Sequence, residues 1–199
     1  PCANSILHRV PQVAQNRRMK IAIVDIYYAA FLASFYREHP GLADQRYGEQ
    51  LETLLDACFG TSDFYSRHLN ALGCEAHDLV ANCVALQRAW ARENGTRYSE
   101  LALKLSPKWA RLPILGRWLA RLPGLLRIAA DQVRAMKPDV LYCQSLTLFP
   151  PGVMRELKRH VRLLVGQIAY PMPPREYLEP FDLILSSFPH FVPPFRRMA

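Results

Sequence analysis

The sequence predicts an α/β fold: an open parallel sheet of about five or more strands with helices on both faces. Two observations carry this. Short apolar runs alternate along the chain with segments of helical spacing. Most of the runs are apolar along their length rather than at every second position, as in strands buried on both faces. The prolines agree: nine of the 16 lie from Pro150 onward, clustered just after expected strands, where the chain turns away from a sheet.

Ile21-Ala22-Ile23-Val24 is the first strand, and a long connection broken at Pro40-Gly41 follows. Tyr47, Leu51, Leu54, Leu55 and Cys58 then recur at helical spacing, and Gly60 fits the stop. Thr61-Ser62-Asp63 supplies capping residues for a helix whose apolar face is Tyr65, Leu69 and Leu72, ended by Gly73. The second strand runs from Cys74 to Val80, followed by a helix from about Val84 to Asn94 that Gly95 ends. Prolines 107, 113 and 123 limit residues 96–127 to short helices. Leu125 to Met136 is one helix, and Lys137-Pro138-Asp139 launches a third strand, Val140 to Cys143. A helix from Val153 to His160, a strand from Leu163 to Ile168 and a strand from Asp182 to Leu185 complete the pattern.

The 199 residues are 50% hydrophobic and 21% charged, a globular composition that excludes a disordered tail or a collagen-like repeat. The net charge of +8 is unevenly placed. Residues 21–95 hold five cations against ten acids, whereas residues 96–127 hold seven against one. Residues 1–18 have no apolar core for a signal peptide and are expected to be a disordered leader or upstream sequence, with one domain over 19–199. The five cysteines form no CxxC pair and have no zinc-finger spacing to histidines, so reduced thiols and no metal site are expected. No apolar stretch reaches the roughly 18 residues that span a bilayer.

Several chemistries are excluded by missing motifs. Asp25-Ile26-Tyr27-Tyr28 follows the first strand in place of a glycine-rich turn, and its bulk would hold off a dinucleotide pyrophosphate. There is no GxxxxGK[ST] and no GxSxG, so neither a P-loop enzyme nor the usual hydrolase elbow is expected.

Ligands of open α/β sheets bind beyond the carboxyl ends of the strands. There the sequence places Asp25 and Tyr28 after strand one, Asn82 after strand two, and Gln144 and Ser145 after strand three. Gln167 ends strand four, and Ser187 and His190 follow strand five. Amides, hydroxyls and aromatic rings suit a neutral polyhydroxyl ligand such as a sugar, the polar groups pairing with its hydroxyls and the rings covering its C–H faces. Each of these residues could equally do no more than cap a strand or helix. Asp25 and His190 are the candidate catalytic bases.

Met19-Lys20-Ile21-Ala22-Ile23-Val24-Asp25 and the segment from Asp63-Phe64-Tyr65-Ser66 to Gly73 resemble the N-terminal half of bacterial GT-B glycosyltransferases. So do Leu86-Gln87-Arg88-Ala89-Trp90-Ala91, Lys137-Pro138-Asp139-Val140-Leu141-Tyr142 and Leu164-Val165-Gly166-Gln167-Ile168-Ala169. The likeness is to the CgeB-like members and covers residues 19–199. Single motifs are weak; their order and spacing carry the weight. The resemblance implies a Rossmann-like domain that binds the acceptor, facing a second domain that binds the nucleotide sugar. It implies transfer of a sugar to an acceptor hydroxyl with the nucleotide sugar as co-substrate and no further cofactor. It also implies inactivity of this half alone, since the second domain and its donor-binding glutamate motif lie outside the sequence. A base follows the first strand in some inverting relatives, about where Asp25 stands.

Within residues 96–127, Lys104, Lys108, Arg111 and Arg117 are interleaved with Trp109 and Trp118. Cations among aromatic and apolar residues suit an anionic membrane surface or a lipid-linked acceptor. The same composition fits a helical insertion that packs its Trp and Leu and solvates its cations. No nucleic-acid motif accompanies it, and nucleic acid is not an expected partner. The expected compartment is the cytoplasm, with a peripheral position at the inner membrane face. The alternative to the enzyme is a non-catalytic α/β binding or interaction module, with membrane-surface association as its further variant.

Overall fold

The computed structural model describes residues 17–104 and 124–196. Within them, five parallel strands form one sheet in the order β2-β1-β3-β4-β5: β1 Lys20–Asp25, β2 Glu75–Val80, β3 Val140–Cys143, β4 Leu163–Gln167 and β5 Leu183–Leu185. The fold is the expected Rossmann-like α/β sheet, and its helices follow from the crossover rule. A right-handed crossover to the left of β1 and one to its right must pass on opposite faces. The β1–β2 connection accordingly places α3 (Phe64–Ala71) on one face, where Tyr65 and Leu69 pack on Ile21, Ile23, Tyr142 and Val165. The connections to β3 and β4 place α6 (Leu125–Met136) and α7 (Pro151–Lys158) on the other. There Ala129, Val133, Met154 and Leu157 cover Ala22, Val24, Leu141 and Leu164, all buried. Each buried Leu, Ile or Val contributes about 1.5–3 kcal/mol of transfer free energy.

Two helices flank β2 and form a third cluster with a helix that follows β1. α1 (Ala29–Glu38) supplies Leu32 and Phe35, α2 (Tyr47–Asp56) supplies Leu54, and α4 (Val84–Glu93) supplies Leu86. The segment from Ala29 to Glu38, expected as connection, is thus a helix. Its start carries no side-chain cap at Tyr28, so the usual entry signal is missing. Thr61-Ser62-Asp63 also departs from expectation. Asp63 precedes α3 but its carboxylate binds the Arg67 guanidinium through two bonds of 2.9 Å and makes no side-chain cap. The other end of α3 is as read: Gly73 adopts φ +88°, and the Cys74 N–H reaches back to the Leu69 carbonyl at 3.0 Å, the six-to-one bond of a Schellman stop.

The open edge at β2 is occupied by side chains. Asn70 of α3 donates to the Ala76 carbonyl at 3.0 Å and accepts the Ala76 N–H at 2.8 Å, matching the pattern of a neighbouring strand. Further along, Gln87 donates to the Val80 carbonyl at 3.0 Å. Of the expected leader, Arg17 is placed against the sheet by an ion pair of 2.7 Å to Asp139; residues 1–16 lie outside the described residues. In the basic segment, α5 (Glu100–Lys104), the residues just before it and residues 124–127 are described. Lys108, Trp109, Arg111, Arg117 and Trp118 lie outside, as does the side chain of Lys104. The described cysteines, Cys58, Cys74, Cys83 and Cys143, are free thiols. Burial pushes the Cys143 thiol up to about 12, which removes its reactivity at neutral pH. No helix among the described residues is long and apolar enough to cross a membrane.

Candidate functional site

β1 and β3 are neighbours, yet the chain leaves them toward opposite edges of the sheet. Such a switch point opens a crevice at the carboxyl ends of the two strands. Strand register decides what lines it. Val24 is level with Cys143, and Cys143 with Gly166, so Asp25, Gln144 and Gln167 stand level on three adjacent strands. Side chains alternate along a strand, which puts all three on the face that carries Ile23, Tyr142 and Val165, the α3 face. Three of the expected site residues are therefore one polar row.

Asp25 ends β1, with Oδ1 accepting the Ile26 N–H at 2.7 Å. Burial raises its pKa above the ordinary carboxylate value and the Ile26 bond offsets part of the rise. No cation pairs with it among the described residues. A carboxylate with raised proton affinity and no counter-ion is suited to accept a proton. Gln144 Oε1 accepts the Thr61 hydroxyl at 2.9 Å, which ties the loop 57–63 over the end of β3. That loop is bent by left-handed backbone at Cys58 (φ 50°), Gly60 (φ 63°) and Ser62 (φ 44°), and the Ser62 hydroxyl holds it by donating to the Leu55 carbonyl. Left-handed backbone at the two non-glycine positions costs roughly 1 kcal/mol each. Gln167 accepts the Tyr142 hydroxyl, and Tyr142 meets Tyr65 edge-on at 5.3 Å.

Beside this row lies an aromatic ledge. Phe31 and Phe59 stack at 3.8 Å, and Tyr28, 77% exposed, meets Phe59 edge-on at 5.6 Å. Phe59 had no sequence signal of its own and Thr61 read as a helix cap; the loop's left-handed turns bring both to the site.

The remaining residues are placed differently. Asn82 accepts the Tyr27 N–H at 2.9 Å and donates to the Tyr27 carbonyl at 2.7 Å, so its amide clamps the β1–α1 turn from which Tyr28 projects. Asn82→Ala is expected to lower stability by about 1–3 kcal/mol through the two orphaned backbone groups. Hydrogen exchange at Tyr27 should accelerate with it; unchanged exchange would remove the clamp. Ser145 is buried. Ser187 and His190 are exposed beyond β5, with His190 beside Phe191 at 4.3 Å and Phe188 at 5.6 Å. β5 lies three strands from β1, about 14 Å at the usual strand spacing, and His190 follows in a turn beyond its end.

One further carboxylate was not read from the sequence. Asp78 of β2 is level with Ile23, accepts the Ser66 hydroxyl, and is pushed up to about 6 by burial, with Asp63 and Asp25 adding repulsion. A folded-state pKa above the ordinary 3.8 means that the proton favours the folded state. The stability it brings is complete below about pH 4 and lost as pH rises through 6. Asp78→Asn, which keeps the acceptor for Ser66, is expected to match the parent near pH 4 and exceed it by about 1–2 kcal/mol at pH 7.5. Denaturant titrations at the two pH values check this; an equal gain at both would refute it. Among the described residues no group of three or more His, Cys, Asp or Glu is arranged to hold a metal ion. Compared with protein-family models, with curated proteins and with solved structures, the chain matches none.

Proposed function

We propose that the chain is the acceptor-binding half of a GT-B glycosyltransferase, working with a donor-binding domain that follows it. One observation carries this reading: Asp25, uncompensated and with raised proton affinity, stands at the switch point in line with Gln144 and Gln167 and close to the Tyr28–Phe59 ledge. The row offers polar pairing for hydroxyls and the ledge offers a ring face for sugar C–H groups. In the proposed reaction the acceptor oxygen forms a bond to the anomeric carbon as the bond to the nucleotide diphosphate breaks. Asp25 takes the acceptor proton and the diphosphate leaves with the electron pair. Stabilising that diphosphate is the task of a helix N-terminus and basic side chains in the donor domain. The acceptor is a sugar or a lipid-linked molecule. With a lipid-linked acceptor, the cation- and tryptophan-bearing segment 104–118 rests on an anionic membrane at its cytoplasmic face.

The test is twofold. The coding sequence beyond Ala199 should encode a second βαβ-rich domain with a glycine-rich loop and a late pair of glutamates. The 199-residue chain alone should turn over no sugar nucleotide. A stop codon directly after Ala199, or turnover by the chain alone, would defeat the proposal. A non-catalytic binding module is the second reading, favoured by the internal bonds that already engage Asn82, Gln144 and Gln167. Flotation with liposomes tests the membrane contact: binding that ignores anionic lipid would exclude an electrostatic one.

A further inference from the structure

The connections that leave the carboxyl ends of the strands share a composition. Residues 26–28, 81–83, 144–150, 168–174 and 186–188 follow the five strands in turn and contain no Lys, Arg, Asp or Glu, although such residues are 21% of the chain. Charge gathers instead at the amino edge, in the pairs Arg17–Asp139, Lys20–Glu75 and Lys158–Asp182. α7 opens at the carboxyl edge on Pro150-Pro151, which lack the N–H groups that hold anions at helix starts. Asp25 and Asp78 add carboxylates on the α3 face, and the Arg67 guanidinium nearby is closed on Asp63. A phosphate or carboxylate brought to this edge would lose water and meet no cation in these connections.

Two amides of the polar row are turned by their neighbours. The Thr61 hydroxyl donates to Gln144 Oε1 at 2.9 Å, and the Tyr142 hydroxyl, which also faces Tyr65, donates to Gln167 Oε1. Both oxygens are thereby engaged, and neither Nε2 bonds to another group among the described residues. Both residues are half-buried. The sealed side-chain atoms without a partner belong to Gln87, Arg88 and Gln132, so the Nε2 groups of Gln144 and Gln167 reach solvent. Level on adjacent strands, the two residues stand about 5 Å apart and offer donors side by side, next to the acceptor Asp25. A ligand hydroxyl facing two donors has a proton of its own to place. A carbonyl oxygen only accepts, and its two lone pairs can serve both.

We propose that the row selects an uncharged acceptor that carries a carbonyl group, such as an N-acylated sugar. Its carbonyl oxygen takes the NH2 groups of Gln144 and Gln167, and a hydroxyl of the same molecule faces Asp25. This rests on the acceptor-domain reading above and adds the class of acceptor.

Ligand-observed NMR on the 199-residue chain tests it with three probe sets: N-acetylhexosamines of gluco, galacto and manno configuration, the parent hexoses, and the hexose 6-phosphates. The best N-acetylhexosamine is expected to bind about 10-fold more tightly than its parent hexose, as one or two added hydrogen bonds allow. Each phosphate is expected to bind more weakly than its hexose. Thr61→Val frees Gln144 Oε1 and lets the amide turn, so it should narrow the preference, whereas Thr61→Ser keeps the hydroxyl and the preference. Gln167→Glu keeps an oxygen for Tyr142 but replaces the donor, and should narrow it as well. Equal affinity for N-acetylhexosamine and hexose, no binding of any N-acetylhexosamine, or tighter binding of a phosphate would overturn the proposal. So would a preference unchanged in Thr61→Val or Gln167→Glu, or one lost in Thr61→Ser. The transferase reading fails separately, on the coding sequence beyond Ala199 or on turnover by the chain alone.

Discussion

Gly166→Ala is expected to lower stability by about 3 kcal/mol, the upper end of overpacking costs in a filled core. A Cβ at position 166 would stand 2.2 Å from Leu146 Cδ2 and 2.8 Å from two ring carbons of Phe181. Leu146 is 1% exposed and has nowhere to withdraw, and Gly166 is held in β4 between Cys143 and Ile184. For a domain of this size the loss corresponds to a fall in Tm of about 6–12 °C. Denaturant unfolding should show a lower midpoint with an unchanged slope. Leu146→Ala also destabilises, by leaving a cavity, but the double variant should be more stable than the sum of the two losses, because the deleted methyl groups admit the new one. A stable Gly166→Ala variant would mean that β4 is not packed against Leu146 and Phe181 as described.

On the proposed transferase reading, Asp25→Asn is expected to reduce kcat by about 10²–10⁴-fold when the chain is assayed together with the proposed donor domain, with KM little changed. Asparagine keeps the shape and an oxygen for the Ile26 N–H but cannot take the acceptor proton. The pH profile distinguishes this from a structural role. Because burial raises the Asp25 pKa, the carboxylate form is reached at higher pH than for an ordinary aspartate. Activity of the parent should therefore rise with pH through that value, and the variant should lose this limb. Stability should stay level or rise, since a part-buried charge without a cation partner is removed. Full activity of Asp25→Asn would dismiss Asp25 as the base.

The central strands β1, β3 and β4 were legible because burial leaves an apolar run, whereas β2 carries Glu75, His77 and Asp78 and β5 is a short, part-exposed edge placed by its Leu-Ile-Leu run. α1 was not, because Ala29–Glu38 lacks a capping residue and its buried Leu32 and Phe35 follow a turn of bulky aromatics. At the site, Asp25, Gln144 and Gln167 could be named from the rule that parallel sheets bind at their carboxyl ends. Their alignment into one row needed the register, which pairs strands far apart in sequence. Phe59 and Thr61 reach the site through left-handed backbone at Cys58 and Ser62, residue types that carry no such expectation. Asn82 read as a ligand contact; only its two bonds to Tyr27, 55 positions earlier, show it clamping the turn.

The amide of Asn70 gives the sheet a polarity of growth. With its donor and acceptor already matched to Ala76, the β2 margin offers an incoming strand little to zip onto. The opposite margin, where Leu183 and Leu185 are 46% and 42% exposed, still has apolar surface to bury. A strand added to this sheet would therefore meet less obstruction on the β5 side than beside Ala76.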